Sequence, residues 1–284
     1  MDIFFIRDRE FSWCPYGDVN GSNTPTHWLW DRYNFGLKTH FYTHWEMLRT
    51  IGKPDRRYGL YVESEAIYPE TYRLFDTHPG LEKDFDLVFT PSERLLDKLD
   101  NARIFPFFAN PRYPTAIGGG SWDDTVYQRK SRMTSILSSD KTMCKLHQYR
   151  IDLARRCRRE NLADAFGTFD GGPFVPVADT LRDYRYSIVI ENDVMKYWFT
   201  VKLTDCFASM TVPIYYGAPA IGEFFNLDGM ILLKPGEDIK KVLSQCSEKD
   251  YLERLPAIKD NYQRVQAFRN SWDWLWEKYL KERK

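Results

Sequence analysis

No apolar run in this chain approaches the ~20 residues that a membrane-spanning helix needs, so no transmembrane segment is expected. The N-terminus opens apolar at Ile3 to Ile6 but meets Arg7, Asp8, Arg9 and Glu10 at once, too soon for a secretory signal. The five cysteines (Cys14, Cys144, Cys157, Cys206, Cys246) are odd in number and widely spaced, with no C-x-x-C. That argues against a disulfide framework or a zinc site and fits a reducing compartment, so a cytoplasmic location is expected. Asn20-Gly21-Ser22 is a glycosylation sequon, which carries no weight without secretion. Net charge is missing too: 40 basic and 40 acidic residues cancel. No global field favours nucleic acid or an anionic membrane, and any anion site must be built locally. G-x-x-x-x-G-K-[ST], G-x-S-x-G and G-x-G-x-x-G are all absent, as are internal repeats and low-complexity tracts.

What is present is a globular composition, 43% hydrophobic and 16% aromatic over 284 residues, enough for one large domain or two ordinary ones. Short apolar runs read as buried strands at 3–6, 60–62, 87–90, 134–137, 187–190, 212–216 and 230–233. Helical patterns lie between some of them, at 92–99, 146–157 and 202–210. Such alternation predicts an α/β fold with mainly parallel sheets. Pro111 to Arg132, with Pro114 and Gly118-Gly119-Gly120, reads as a linker between two halves. Near the C-terminus Ile258, Tyr262, Val265, Phe268, Trp272 and Trp276 recur at helical steps, which predicts a terminal helix that packs back on the body.

The densest chemistry lies between Tyr184 and Asn226. A buried strand ends there in two polar residues, Glu191 and Asn192. A loop follows, and a helix begins near Thr200. In doubly wound sheets ligands bind beyond the carboxyl ends of strands, and phosphates sit at helix N-termini. Lys202 falls in the first helical turn, where the helix dipole disfavours a cation unless an anion is present. It is therefore a candidate phosphate ligand, the alternative being a solvated surface lysine.

This segment resembles the signature of glycosyltransferase family ten, the α1,3/4-fucosyltransferases, in a soluble bacterial or viral form. That signature is a strand, Glu-Asn, a loop, an aromatic, Thr-Glu-Lys, a helix, and a Val/Ile-Pro-Ile/Val-Tyr-x-Gly strand. The matching residues are Glu191-Asn192, Trp198, Thr200-Val201-Lys202 and Val212-Pro213-Ile214-Tyr215-Tyr216-Gly217. The family's glutamate between Thr and Lys touches the sugar, and Val201 stands in its place. The resemblance thus leaves the donor open between fucose and a related sugar. Upstream, Thr134 to Cys157 followed by Ala163 to Gly167 is similar to the family's first donor-domain unit. Arg150 takes the place of its diphosphate-binding arginine, and a guanidinium fork suits two phosphate oxygens. The bland alternative places Arg150 with Arg155, Arg156, Arg158 and Arg159 on a solvated helix face.

In the first half, Tyr58 to Glu65 is a strand running into acidic residues. Inverting sugar transfer needs a base for the acceptor hydroxyl, and a carboxylate at a strand end can supply it. Glu63 best matches the family's candidate base, with Glu65 the runner-up. The resemblance implies an α/β, GT-B-like architecture, two Rossmann-like domains facing a cleft. The acceptor-binding domain would span 1–125. The nucleotide-sugar domain would span 126–284, terminal helix included. It implies transfer of fucose or a related sugar from a GDP-sugar such as GDP-fucose to a glycan hydroxyl. Arg150 and Lys202 would neutralise the GDP, and Glu191, Asn192, Trp198, Thr200 and Val201 would position the donor. Neither a metal nor a further cofactor is required, since the cations are side chains. The partners are then a nucleotide sugar and a glycan acceptor, with no nucleic acid. Two rivals stand beside this reading: a transferase for a different nucleotide sugar, and a nucleotide- or glycan-binding homologue that has lost catalysis. Asp84-Phe85-Asp86 mimics a D-x-D metal motif but precedes its strand instead of following it. His40 and His44 have the i,i+4 spacing of metal ligands but lack a convincing third.

Overall fold

The computed structural model describes residues 1–8, 25–107 and 119–282. The chain forms two compact units. The first gathers Met1–Asn110, Met195–Trp198 and Asn270–Lys284, and the second gathers Pro111–Val194 and Phe199–Arg269. Among the described residues no helix is long and apolar enough to cross a membrane.

The first unit is a six-stranded sheet with the order β2-β1-β3-β4-β5-β6. Its strands are β1 (Asp2–Arg7), β2 (Trp28–Asp31), β3 (Thr39–Thr43), β4 (Arg56–Leu60), β5 (Leu87–Thr90) and β6 (Ala102–Ile104), every pairing parallel. Short helices α1 (Pro69–Tyr72), α2 (Leu74–Thr77) and α3 (Glu93–Lys98) cover it. The runs at 3–6 and 87–90 fall on β1 and β5. The run at 60–62 only touches the end of β4. β2 and β3 went unread because their buried residues are aromatic or polar instead of aliphatic. Trp28 and Trp30 point inward around a more exposed Leu29. His40 is fully buried, with Nδ1 2.8 Å from the Tyr42 hydroxyl.

The second unit is a five-stranded parallel sheet with the order β11-β10-β9-β7-β8. Its strands are β7 (Arg132–Leu137), β8 (Asp164–Phe166), β9 (Tyr184–Ile190), β10 (Val212–Tyr216) and β11 (Ile231–Leu232). Its helices are α4 (Lys145–Arg159), α5 (Val177–Leu181), α6 (Val201–Ala208), α7 (Ile239–Leu243), α8 (Glu248–Glu253) and α9 (Leu255–Val265). Ile136, Ile188 and Ile214 stand side by side on β7, β9 and β10 at the centre of its core. The expected linker lies partly outside the described residues. Beyond it Trp122 N–H donates to the Ala208 carbonyl (2.9 Å). A Cβ on Gly120 would come within 2.3 Å of the Ala208 Cβ, so only glycine permits that approach.

The C-terminal segment is broken instead of forming one helix. α10 (Ser271–Leu275) is capped by Asn270, whose side chain accepts from the N–H groups of Trp272 and Asp273. Trp272, Leu275, Trp276 and Leu280 pack into the first unit's core with Phe4, Trp28 and Trp30. The Trp30 and Trp272 rings meet edge to face, centroids 5.1 Å apart. Removing Trp272 empties the middle of this aromatic cluster. Trp272→Ala is therefore expected to destabilise the first unit by about 3–5 kcal/mol, read as a fall in its urea-unfolding midpoint.

Candidate functional site

Read from β8, the second sheet runs 2-1-3-4-5, a doubly wound order whose switch point lies between its first and third strands. Here these are β7 and β9. Right-handed crossovers send α4, between β7 and β8, and α6, between β9 and β10, to opposite faces of the sheet. The carboxyl ends of β7 and β9 therefore open into a crevice, with the N-termini of both helices turned toward it.

Glu191, directly after β9, has no exposed surface. Its Oε1 accepts the Thr200 N–H (2.8 Å). Its Oε2 accepts the Thr200 hydroxyl (2.8 Å) and Lys202 Nζ (3.0 Å). Thr200 caps α6, its hydroxyl accepting from the Lys202 N–H, and Lys202 Nζ also donates to that hydroxyl (2.9 Å). A buried carboxylate thus fixes the start of the helix and the direction of its first cation. A Cβ on Gly217 would lie 2.7 Å from Glu191 Cγ and closer still to the Tyr215 hydroxyl, so the glycine makes room for this arrangement.

Arg150 reaches the same place from α4. It is 5% exposed, and its Nη1 donates to the Ile190 carbonyl (3.0 Å) while its Nε has no hydrogen-bond partner. Burial lowers its pKa and the charge of Glu191 opposes that, so the guanidinium stays charged. Arg150, Val201 and Lys202 line a cavity of about 70 Å³ whose other walls include Leu137, Val177 and Leu181. Asp205, also buried, lies on the same wall. Cys144, at the N-cap of α4, donates from Sγ to the Asn192 carbonyl (3.2 Å), tying the two loops together.

The second unit therefore brings together Arg150, Glu191, Asn192, Thr200, Val201 and Lys202. Trp198 is not among them: its side chain is 2% exposed in the first unit's aromatic core. Sequence reasoning passed over His147. It lies in the first turn of α4, 5% exposed, with Nδ1 unpartnered. Its spacing of three from Arg150 places it on the same helix face and was the available signal.

In the first unit, Glu63 lies just beyond β4, its Oε1 accepting the Ser64 N–H (2.8 Å). Its backbone is held from two sides. Tyr72 donates its hydroxyl to the Glu63 carbonyl (2.7 Å), and His44 Nε2 accepts the N–H groups of Val62 (3.1 Å) and Glu63 (3.2 Å). His44 Nε2 is thus unprotonated, and Nδ1 donates to Thr71 Oγ1 (3.0 Å). Glu65 is partly buried, its N–H donating to Met195 Sδ (3.3 Å). His40 lies on β3, while His44 opens the following turn, so their spacing is not helical. Asp86 of the D-x-D look-alike binds Arg56 Nη1 (2.8 Å) and the Arg57 N–H (2.9 Å). Among the described residues no group of three His, Cys, Asp or Glu is placed to hold a metal.

Two parallel Rossmann-like sheets with a doubly wound switch point define an α/β fold of the GT-B-like class. Among solved structures the chain is similar to an α1,3-fucosyltransferase crystallised with GDP: TM-score 0.55, 14% identity, covering 94% of this chain and 88% of that one. A second α1,3-fucosyltransferase structure matches at TM-score 0.51 and 13% identity, over 94% and 87% of the two chains. TarM matches at TM-score 0.52 and 12% identity, over 87% of this chain and 55% of that one. No family model matches the sequence, and neither does any curated protein.

The position of His44 has a consequence for stability. Burial lowers its pKa to about 3, whereas the unfolded imidazole titrates near ~6.5. As pH falls below the unfolded value, the unfolded chain binds this proton first, and stability drops by up to ~1.4 kcal/mol per unit. The parent should lose about 2 kcal/mol between pH 7 and pH 5 through this group. His44→Asn should start less stable but show a shallower decline in urea unfolding; parallel curves would deny His44 this role.

Proposed function

We propose that the protein is an inverting glycosyltransferase that moves fucose, or a closely related sugar, from a GDP-sugar to a hydroxyl of a glycan acceptor. One observation carries the reading. Two cations, Arg150 and Lys202, meet at the β7/β9 switch point beside two helix N-termini, in a fold shared with solved α1,3-fucosyltransferases. Helix N-termini and cations together favour phosphate. Two of the three Lys202 ammonium hydrogens are committed to Glu191 and Thr200, which leaves the third for an anion. Glu191 and Thr200 hold the lysine in place, while Arg150 and Lys202 ligate the diphosphate.

In the transfer, the acceptor oxygen bonds to the anomeric carbon as the bond from that carbon to the phosphate oxygen breaks. The electron pair leaves on GDP, and Glu63 takes the acceptor proton, with Glu65 the second candidate. Charge leaving the sugar is met as it forms by cations already in place. Val201 favours a sugar that turns an apolar substituent toward it, since the neighbouring cavity walls are largely aliphatic. A 6-deoxy sugar such as fucose has such a substituent.

GDP at ~100 times its dissociation constant should stabilise the parent by about 2.7 kcal/mol. Lys202→Ala should weaken GDP binding at least about tenfold, the scale of one lost charged hydrogen bond. Calorimetry on both proteins decides this, and equal affinities would remove Lys202 from the site. Glu63→Gln should keep GDP affinity yet lower turnover of GDP-fucose by ~100- to 10,000-fold. Should Glu65→Gln fail instead, the base is Glu65.

A further inference from the structure

His147 is a buried group near the switch point that nothing above employs. It belongs to the first turn of a fifteen-residue helix, and it lies three residues before Arg150. Both side chains are 5% exposed, and each carries a buried nitrogen without a partner, Nδ1 of His147 and Nε of Arg150. A buried polar atom left unpaired costs about 1–3 kcal/mol. Arg150 lines the cavity, and His147 lies one helical turn before it at the helix N-terminus, within reach of the charges of Arg150 and Lys202. Two unpartnered nitrogens so placed point to a ligand that supplies their missing partners.

We infer that His147 is a third ligand of the anion at this site, its Nδ1–H donating to a phosphate oxygen of a bound nucleoside diphosphate. The inference rests on the donor site proposed above and adds a residue to it.

The charges acting on His147 explain how it would behave. Arg150 on its own helix, Lys202 on α6 and Lys141 in the loop before α4 all bear on it, and all are positive. Glu191, the nearby anion, is engaged with Thr200 and Lys202. Burial, with those three cations behind it, lowers the His147 pKa to about 4. Without ligand the imidazole is therefore neutral at pH 7. A diphosphate reverses the local field and raises that pKa, so binding draws a proton onto His147 and tightens as pH falls.

The test uses inorganic pyrophosphate and GDP as probes on the full chain, by calorimetry at pH 7.5 and pH 6. The variants are His147→Ala, His147→Asn and Lys202→Ala. Asparagine can place an amide N–H near the position of Nδ1 but cannot titrate. His147→Ala should bind both probes about tenfold more weakly than the parent, the scale of one charged hydrogen bond. His147→Asn should recover most of that affinity. It should lack the extra gain, at least about threefold, that the parent shows at pH 6; a purely structural histidine would not produce that difference. The probes' own titration is common to all four proteins and cancels. If His147→Ala matches the parent at both pH values while Lys202→Ala loses binding, the inference falls and the donor site stands. If the parent binds neither probe, both fall.

Discussion

The carboxylate of Glu191 sits without solvent contact at the end of β9, and the second unit's site is arranged around it. A buried charge is tolerable only when it is fully paired. Here the pairing comes from the Thr200 amide, the Thr200 hydroxyl and Lys202 Nζ. These are also the groups that begin α6. Satisfying one buried anion thus sets where the helix starts and where its first cation points. Arg150, hydrogen-bonded to the Ile190 carbonyl one residue earlier, is keyed to the same turn.

The first unit uses a neutral version of the same device. His44 accepts two successive backbone N–H groups beyond β4 with one nitrogen and donates to Thr71 with the other. It adopts a positive φ of 46° to do so, a strained conformation that the three bonds hold in place. In both units a buried titratable side chain, more than the backbone alone, fixes the loop that follows a strand.

Much of this was legible in the sequence where it followed local rules. The strands at 87–90, 134–137, 187–190 and 212–216 are short apolar runs, each with at least one branched aliphatic residue, and the structure has a strand at each. Glu191, Thr200 and Lys202 were legible as a strand end followed by a helix start. β2 and β3 were not, because tryptophan, histidine and threonine fill buried positions there without an aliphatic run. Trp198 shows a different limit. Its place in the motif lies two residues before Thr200, but its ring is buried in the other unit's core, which depends on long-range packing. His147 had only its spacing of three from Arg150 as a sequence signal, and its unpartnered nitrogen shows only in three dimensions.

The chain's path between the two units bears on how the protein can be made. Residues 195–198 and the segment from Asn270 onward belong to the unit that the N-terminal half begins. Each unit is therefore discontinuous in sequence, and no single cut separates them into two uninterrupted pieces. During synthesis from the N-terminus, the first sheet emerges long before Trp272, Leu275 and Trp276, which complete its core. The second unit, whose last residue is Arg269, is complete first. The early sheet must then wait for α10, with part of its aromatic face uncovered, while the whole of the second unit is made.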